Sequence, residues 1–314
     1  MHRAARFCLI GLCSLALLAG CERRQHLVQQ HLLEFGTLIE ITLVSDDLAR
    51  AEELLQRIES QLRRQRAQWH AWEDSELTRF NGALRLQGSA RVTPGLTSLL
   101  ELSRRYYDLS EGLFNPALGQ LVGAYGFHGG AVDEAMIARI RGDIPGMHDL
   151  DIEGERAASR HPYLQIDLGG IAKGYAVGRV GELLDRNGVD HYVVNAGGDL
   201  LVSGNRFGRP WRIGIQNPFA PGVVASIELE GRHSLFTSGN YARRYREGGD
   251  LRHHIIDPRT GAPARGQSSA TVLASDPVLA DVAATVLMVD GLRQPAKLAQ
   301  RLGVRDFLVV SDGR

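Results

Sequence analysis

All three cysteines of this 314-residue chain, Cys8, Cys13 and Cys21, fall within its first 21 residues. Everything after Cys21 must therefore fold without disulfides, zinc–thiolate sites, iron–sulfur clusters or a cysteine nucleophile, and packing has to hold it together. Hydrophobic residues make up 44% of the chain, enough at this length for one large core or two intimate ones. No repeat, low-complexity tract or Pro/Ser linker divides it, so one compact α+β body is expected.

The leader has its own logic. His2, Arg3 and Arg6 precede an apolar run over residues 7–19, which ends in Leu18-Ala19-Gly20-Cys21. A positive flank, a short apolar segment and small residues before a cleavage point mark an export signal, and the run is too short for a comfortable membrane span. The Leu-Ala-Gly-Cys ending resembles the lipobox of bacterial lipoproteins. It implies a signal peptide over 1–20, a mature domain over 21–314, lipid on Cys21 and a place in the cell envelope facing the periplasm, with the leaflet open. An ordinary signal peptide with a chance cysteine is the other reading. Lysine plus arginine and aspartate plus glutamate balance at 36 each, so no basic surplus exists to neutralise a nucleic-acid backbone.

Ile39, Ile41 and Leu43 alternate with polar neighbours and predict a half-buried strand; Asp46 then opens a helical pattern through Leu48, Ala51, Leu55, Ile58 and Leu62. Thr93-Pro94 predicts a helix start, with the hydroxyl as cap and proline at the first helical position, and Gly112 closes that segment. Residues 164–167, 171–184 and 192–195 read as a strand–helix–strand unit. Strands are expected over residues 211–215, 223–229, 253–256 and 270–274, largely antiparallel given their short connections. A final helix begins at Asp276-Pro277.

Several junctions carry candidate chemistry. In Asp167-Leu168-Gly169-Gly170-Ile171-Ala172-Lys173-Gly174-Tyr175, glycines expose backbone groups, a helix start favours anions and Lys173 adds charge. The pattern is either an anion cradle or a tight turn with a surface lysine. It is neither a Walker loop nor a Rossmann fingerprint. Asn195-Ala196-Gly197-Gly198-Asp199 alone reads as a turn. His253 and His254 would point to opposite faces of a strand, so at most one serves a given site, as a proton acceptor or simply as a hydrogen-bonded histidine. Asp281 and Thr285, one helical turn apart, present two hard oxygens to one face. They could bind magnesium together with substrate phosphates, or form an ordinary solvated face.

Taken in order, these segments resemble the FAD:protein FMN transferases, or ApbE-type flavin transferases. The resemblance rests on Phe35-Gly36-Thr37, Asp74-Ser75-Glu76-Leu77-Thr78-Arg79-Phe80-Asn81, Gly112-Leu113-Phe114-Asn115-Pro116, the run from Asp167 to Tyr175 and the run from Asn195 to Asp199. It continues through the run from Trp211 to Pro218, Thr237-Ser238-Gly239, the run from His254 to Gly261, and Ala280-Asp281 with Thr285. Two positions depart from the pattern: Phe35 replaces the usual methionine and Asn115 the usual aspartate.

The resemblance implies an ApbE-like two-lobed α+β fold with mixed or antiparallel sheets, flanking helices and FAD between the lobes. It implies a magnesium ion held by the Gly170 carbonyl, Asp281 and Thr285, with Asp281 and His254 catalytic, the latter as general base. Asp167 and Lys173 would lie at the cofactor. Phe35, Trp72 and Phe114 would offer apolar surface to its rings, although Trp72 could equally be core, and Leu113, Asn115 and Ile255 would flank them. The implied activity moves the FMN half of FAD onto a threonine or serine hydroxyl of an acceptor flavoprotein in the membrane or periplasm and releases AMP; FAD supply would require a flavin exporter. A magnesium-dependent FAD pyrophosphatase and a non-catalytic flavin-binding lipoprotein remain the alternatives.

Overall fold

A computed structural model describes residues 25–247 and 250–312; Cys21 and the leader lie outside the described residues. Seven strands form one antiparallel sheet whose spatial order follows the chain: β1 (His26–Glu34), β2 (Thr37–Ser45), β3 (Tyr192–Ala196), β4 (Asp199–Ser203), β5 (His233–Gly239), β6 (Gln267–Ala274) and β7 (Asp306–Ser311). Antiparallel neighbours need only short turns. Phe35 and Gly36, both at positive φ (53° and 70°), make the two-residue turn between β1 and β2, where Glu34 pairs with Thr37.

Helices α1 (Leu48–Trp69), α2 (Glu76–Gln87), α3 (Pro94–Leu109), α4 (Ala172–Arg186) and α5 (Pro277–Asp290) supply much of the rest of the main core. Ile39, Ile41 and Leu43 pack there with Leu55, Ile58, Val177, Val180 and Val286, so alternate residues of β2 face the helices as the period of two requires. Local signals set several helix starts. Thr93 caps α3 with Pro94 in the first turn, and Asp276 accepts from the N–H groups of Val278 and Leu279 ahead of Pro277. For α1 the cap is Asp47 rather than Asp46, its carboxylate accepting from the Arg50 N–H. A smaller core of Leu118, Leu121, Tyr125, Ile137, Ile140 and Ile256 gathers around the short helices Gly119–Ala124 and Glu134–Gly142. The hairpin of Trp211–Gln216 and Val223–Leu229 covers part of the sheet's other face through Val44, Val202, Trp211 and Leu229. Among the described residues, no helix is long and apolar enough to cross a membrane.

Two expected strands do not form. Over residues 253–256 the chain breaks: one short strand ends at His253 and another begins at Ile256, with His254 and Ile255 in neither. Residues 164–167 form no strand; the chain is extended there, but only an isolated bridge joins Gln165 to Leu118. The Asn81 side chain replaces a ladder, donating to the Ile166 carbonyl and accepting from its N–H, both at 2.8 Å. The N–H of Asp167 donates to the Pro116 carbonyl at 2.8 Å. An extended run with its backbone satisfied by a side chain and a neighbouring loop needs no sheet.

Candidate active site

The sheet has two ends. One carries the β1–β2 turn, the β3–β4 turn at Gly197-Gly198, the start of β4 at Asp199 and the end of β5 at Gly239. Thr37 and Gly197 meet so closely there that a Cβ on Gly197 would lie 2.1 Å from the Thr37 hydroxyl; only glycine fits. The turn at Asp167–Gly170 and the start of α4 run alongside, between the main core, which holds Ile166 and Leu168, and the smaller core.

A charged group forms on this end. Lys173, in the first turn of α4, pairs with Asp199, whose Oδ1 accepts the Thr237 N–H at 2.9 Å. Burial alone would lower the lysine's pKa, but Asp199 and Asp281 outweigh it and hold it above the ordinary value. Asp281 is only 5% exposed and its Oδ2 accepts the Gly174 N–H at 2.8 Å. Burial pushes its carboxyl up to about 7 against the pull of Lys173. One turn further along α5, the Thr285 hydroxyl lies 3.1 Å from that of Ser238. Gly170 faces the same hydroxyl, since a Cβ there would sit 3.4 Å from it and 3.2 Å from the Phe114 ring. The structure thus gathers Gly170, Lys173, Asp281 and Thr285 from segments more than a hundred residues apart.

These oxygens suit a small hard cation. A buried carboxylate whose charged form is disfavoured, beside a hydroxyl and an exposed backbone turn, gains from a divalent ion, and magnesium commonly uses one carboxylate plus substrate phosphates. No cluster of three His, Cys, Asp or Glu side chains capable of holding a metal occurs among the described residues, so the substrate would have to supply much of the coordination.

A second group sits around Asp167. Its Oδ2 accepts from His128 Nε2 at 2.9 Å and its Oδ1 from the Gly169 N–H at 2.8 Å. Burial would raise this carboxyl, yet those bonds and the His128 and Arg243 charges hold it below the usual carboxylate range. His128 stacks on Trp72 with centroids 5.2 Å apart, and the Arg243 guanidinium lies 4.9 Å from the Trp72 ring centre. Trp72 is 44% exposed; it is no core residue. His254 faces this group through Phe127 and the Arg243 carbonyl. Burial, reinforced by the Arg243 charge, drives its pKa down to about 4. His253 points the other way, its Nε2 2.8 Å from the Ala264 carbonyl inside the core, whereas His254 lies just past the end of that strand. A cavity of about 280 Å³ opens beside His128, lined by Gly119, Gln120, Gly123, Asp133 and Gln165 among others.

Other expected residues fall nearby in different settings. Leu113, Phe114 and Ile255 are buried members of the main core, and Phe35 packs against it from the hairpin turn. The Asn115 amide is already engaged: Nδ2 donates to the Pro145 carbonyl at 2.8 Å and Oδ1 accepts the Ala117 N–H at 3.1 Å. Sequence reasoning missed His128, Phe127 and Arg243. His128 stands alone in a glycine-rich loop, and nothing in its spacing connects it with Asp167.

An antiparallel sheet with helices on one face, carrying at one end a lysine–carboxylate pair, a buried carboxylate and hydroxyl, and a histidine-bonded aspartate, defines an α+β protein with a charged site at the end of its sheet. The chain belongs to the ApbE family, whose model matches residues 35–308. It is similar to a protein named FAD:protein FMN transferase from Rhodobacter capsulatus, with 40% identity over 88% of this chain, although it spans only 54% of that longer protein. A Vibrio cholerae protein of the same name is 34% identical over 96% of this chain and 93% of its own length. Among solved structures, the ApbE protein from Thermotoga maritima superposes with a TM-score of 0.82 at 27% identity, covering 92% of this chain and 95% of its own. The flavin transferase ApbE from Vibrio cholerae gives 0.77 at 30% identity, over 92% and 98%.

Proposed function

We propose that this chain is an FAD:protein FMN transferase that moves the FMN half of FAD onto a threonine or serine hydroxyl of an acceptor protein, with a magnesium ion bound by Gly170, Asp281 and Thr285. The observation that carries this reading is the convergence of Lys173, Asp199, Asp281 and Thr285 beside the Asp167–Gly170 turn, which sets a fixed positive charge next to two hard oxygens suited to a cation and an anionic substrate. Magnesium would supply charge neutralisation on the pyrophosphate oxygens.

The protein's own groups would do the rest. Lys173, fixed by Asp199, places a positive charge at the pyrophosphate, while backbone groups of the glycine turn allow close approach. Trp72 offers an exposed ring for the flavin. The acceptor hydroxyl attacks the phosphorus on the riboflavin side; its O–P bond forms as the bond from that phosphorus to the bridging oxygen breaks, and AMP leaves with that oxygen. His254 takes the hydroxyl proton. At neutral pH it is uncharged and free to accept, and the substrate's negative charge raises its basicity when it is needed.

The reading includes export and lipid attachment at Cys21, which would place the enzyme on the periplasmic side of a bacterial membrane, with envelope flavoproteins as acceptors. The test mixes protein starting at Glu22 with FAD, magnesium and a threonine-bearing acceptor domain, and weighs the acceptor by intact mass spectrometry. Addition of one FMN, abolished by EDTA and by Asp281→Ala, is the expected result. FMN and AMP released with the acceptor unmodified would replace the transferase with a pyrophosphatase, and FAD bound but never cleaved would leave a flavin binder.

A further inference from the structure

The sheet separates the site from the place where the chain enters the fold. His26 and Ser45 pair at the end of the β1–β2 hairpin opposite its turn, and Tyr192, Ser203 and His233 occupy the same end of their strands. β2 runs nine residues from the site end to this one, a span of about 27 Å. Just past Ser203, Arg206 and Arg209 exchange backbone hydrogen bonds (2.7 and 3.1 Å), closing a tight turn with Phe207 and Gly208 at its tip. Both tip residues have positive φ, 52° and 78°, and the Gly208 N–H donates to the Asn205 side-chain oxygen at 2.8 Å. A rigid loop thus holds an aromatic ring outward: Phe207 is 47% exposed, flanked by the exposed Arg206 and Arg209. Neither arginine forms an ion pair among the described residues. The nearby acids are otherwise disposed, Glu228 opposite Arg212 in the hairpin register and Glu230 accepting from the Asn205 amide.

We propose that the Arg206–Phe207–Gly208–Arg209 turn is a lipid-contacting surface, which seats the body on an anionic bilayer with the FAD site on the far side. This rests on the reading of Cys21 as the lipid attachment point. The five Cα-to-Cα steps from Cys21 to His26 reach at most about 18 Å, so this end of the sheet stays within that distance of the bilayer. Each arginine is then attracted to acidic headgroups and the ring of Phe207 enters the interface, where aromatic side chains are favoured. The acceptor hydroxyl would have to be presented roughly a sheet's length above the membrane, so an acceptor domain raised off the surface fits and a residue at the headgroups does not.

The test uses protein starting at Glu22, whose three apolar cores all lie within the described body. It is sedimented with vesicles of phosphatidylcholine alone or mixed with phosphatidylglycerol. Binding to the mixed vesicles is expected, weakened by salt and reduced about tenfold by Phe207→Ser and by Arg206→Glu with Arg209→Glu. Leu86→Ser, which removes an exposed leucine of α2 (79% exposed), should leave binding unchanged. No binding to the mixed vesicles, or binding indifferent to both turn variants, overturns the proposal. Flavin transfer to a soluble acceptor, measured on the same samples, should be equal in all of them. Vesicle binding that survives while transfer is absent from the unmutated protein would count against the catalytic reading and in favour of the lipid surface.

Discussion

The N–H of Gly174 donates to Asp281 Oδ2 at 2.8 Å because α4 and α5 touch where Gly174 has no side chain. A Cβ there would stand 2.5 Å from the Pro277 carbonyl oxygen and 2.8 Å from Asp281 Cβ. The contact both packs two helices and aims the carboxylate, so one substitution disturbs structure and chemistry together.

Gly174→Ala is therefore expected to destabilise the fold by about 1–3 kcal/mol, the ordinary range for overpacking in a rigid interior. It should also reduce flavin transfer well beyond the fraction of protein unfolded. Thermal denaturation and transfer assays on one preparation check both. Unchanged melting would mean that the helices separate freely.

The raised carboxyl of Asp281 gives a pH signature. An isolated aspartate titrates near 3.8 and burial brings this one to about 7, so between those values the folded, metal-free protein binds the proton more tightly than the unfolded chain. Its contribution to stability is complete below about 4, falls as pH rises through the window and is flat above it. In EDTA, Asp281→Asn should therefore gain in Tm relative to the unmutated protein as pH is raised from 4 to 8. Magnesium should reverse the order at pH 8 by stabilising only the protein that keeps the carboxylate. Equal Tm responses of both proteins to magnesium would remove Asp281 from the metal site.

His254→Ala should lower the transfer rate about 10² to 10⁴ fold, the usual scale of general-base help. A base works when deprotonated, and with its pKa near 4 in the free protein the acid limb of kcat/KM should lie far below the value of an ordinary histidine. With magnesium saturating, so that Asp281 is held ionised, an acid limb centred near 6.5 would show a different group taking the proton.

What the sequence made legible was what neighbouring residues decide. Thr93 with Pro94 and Asp276 with Pro277 announce their helices because a cap and a proline act within one turn, and Asp281 with Thr285 share a face because the helix repeats every 3.6 residues. The order of glycine motifs also pointed to the family. Residues 164–167 misled because their backbone is satisfied by Asn81, 85 positions from Ile166, which no local pattern records. His128 was invisible for the same reason, its partner Asp167 lying 39 residues away. The need for glycine at position 174 depends on a helix that begins more than a hundred residues later.

Asn115 shows how a departure from the family pattern can be absorbed. Its amide donates to the Pro145 carbonyl and accepts from the Ala117 N–H, tying the Leu113–Pro116 segment to the loop before Met147. An aspartate could keep the second bond but not the first, since an ionised carboxylate only accepts, and two oxygens would then face each other. Asn115→Asp, which restores the family's residue, should therefore cost about 1–3 kcal/mol of stability. The loss should shrink as pH falls toward the carboxyl's own titration, because the protonated acid can donate to Pro145 again. Denaturation midpoints at pH 8 and pH 4 would test this, and a variant as stable as the unmutated protein at pH 8 would mean that the amide bond to Pro145 contributes nothing to the fold.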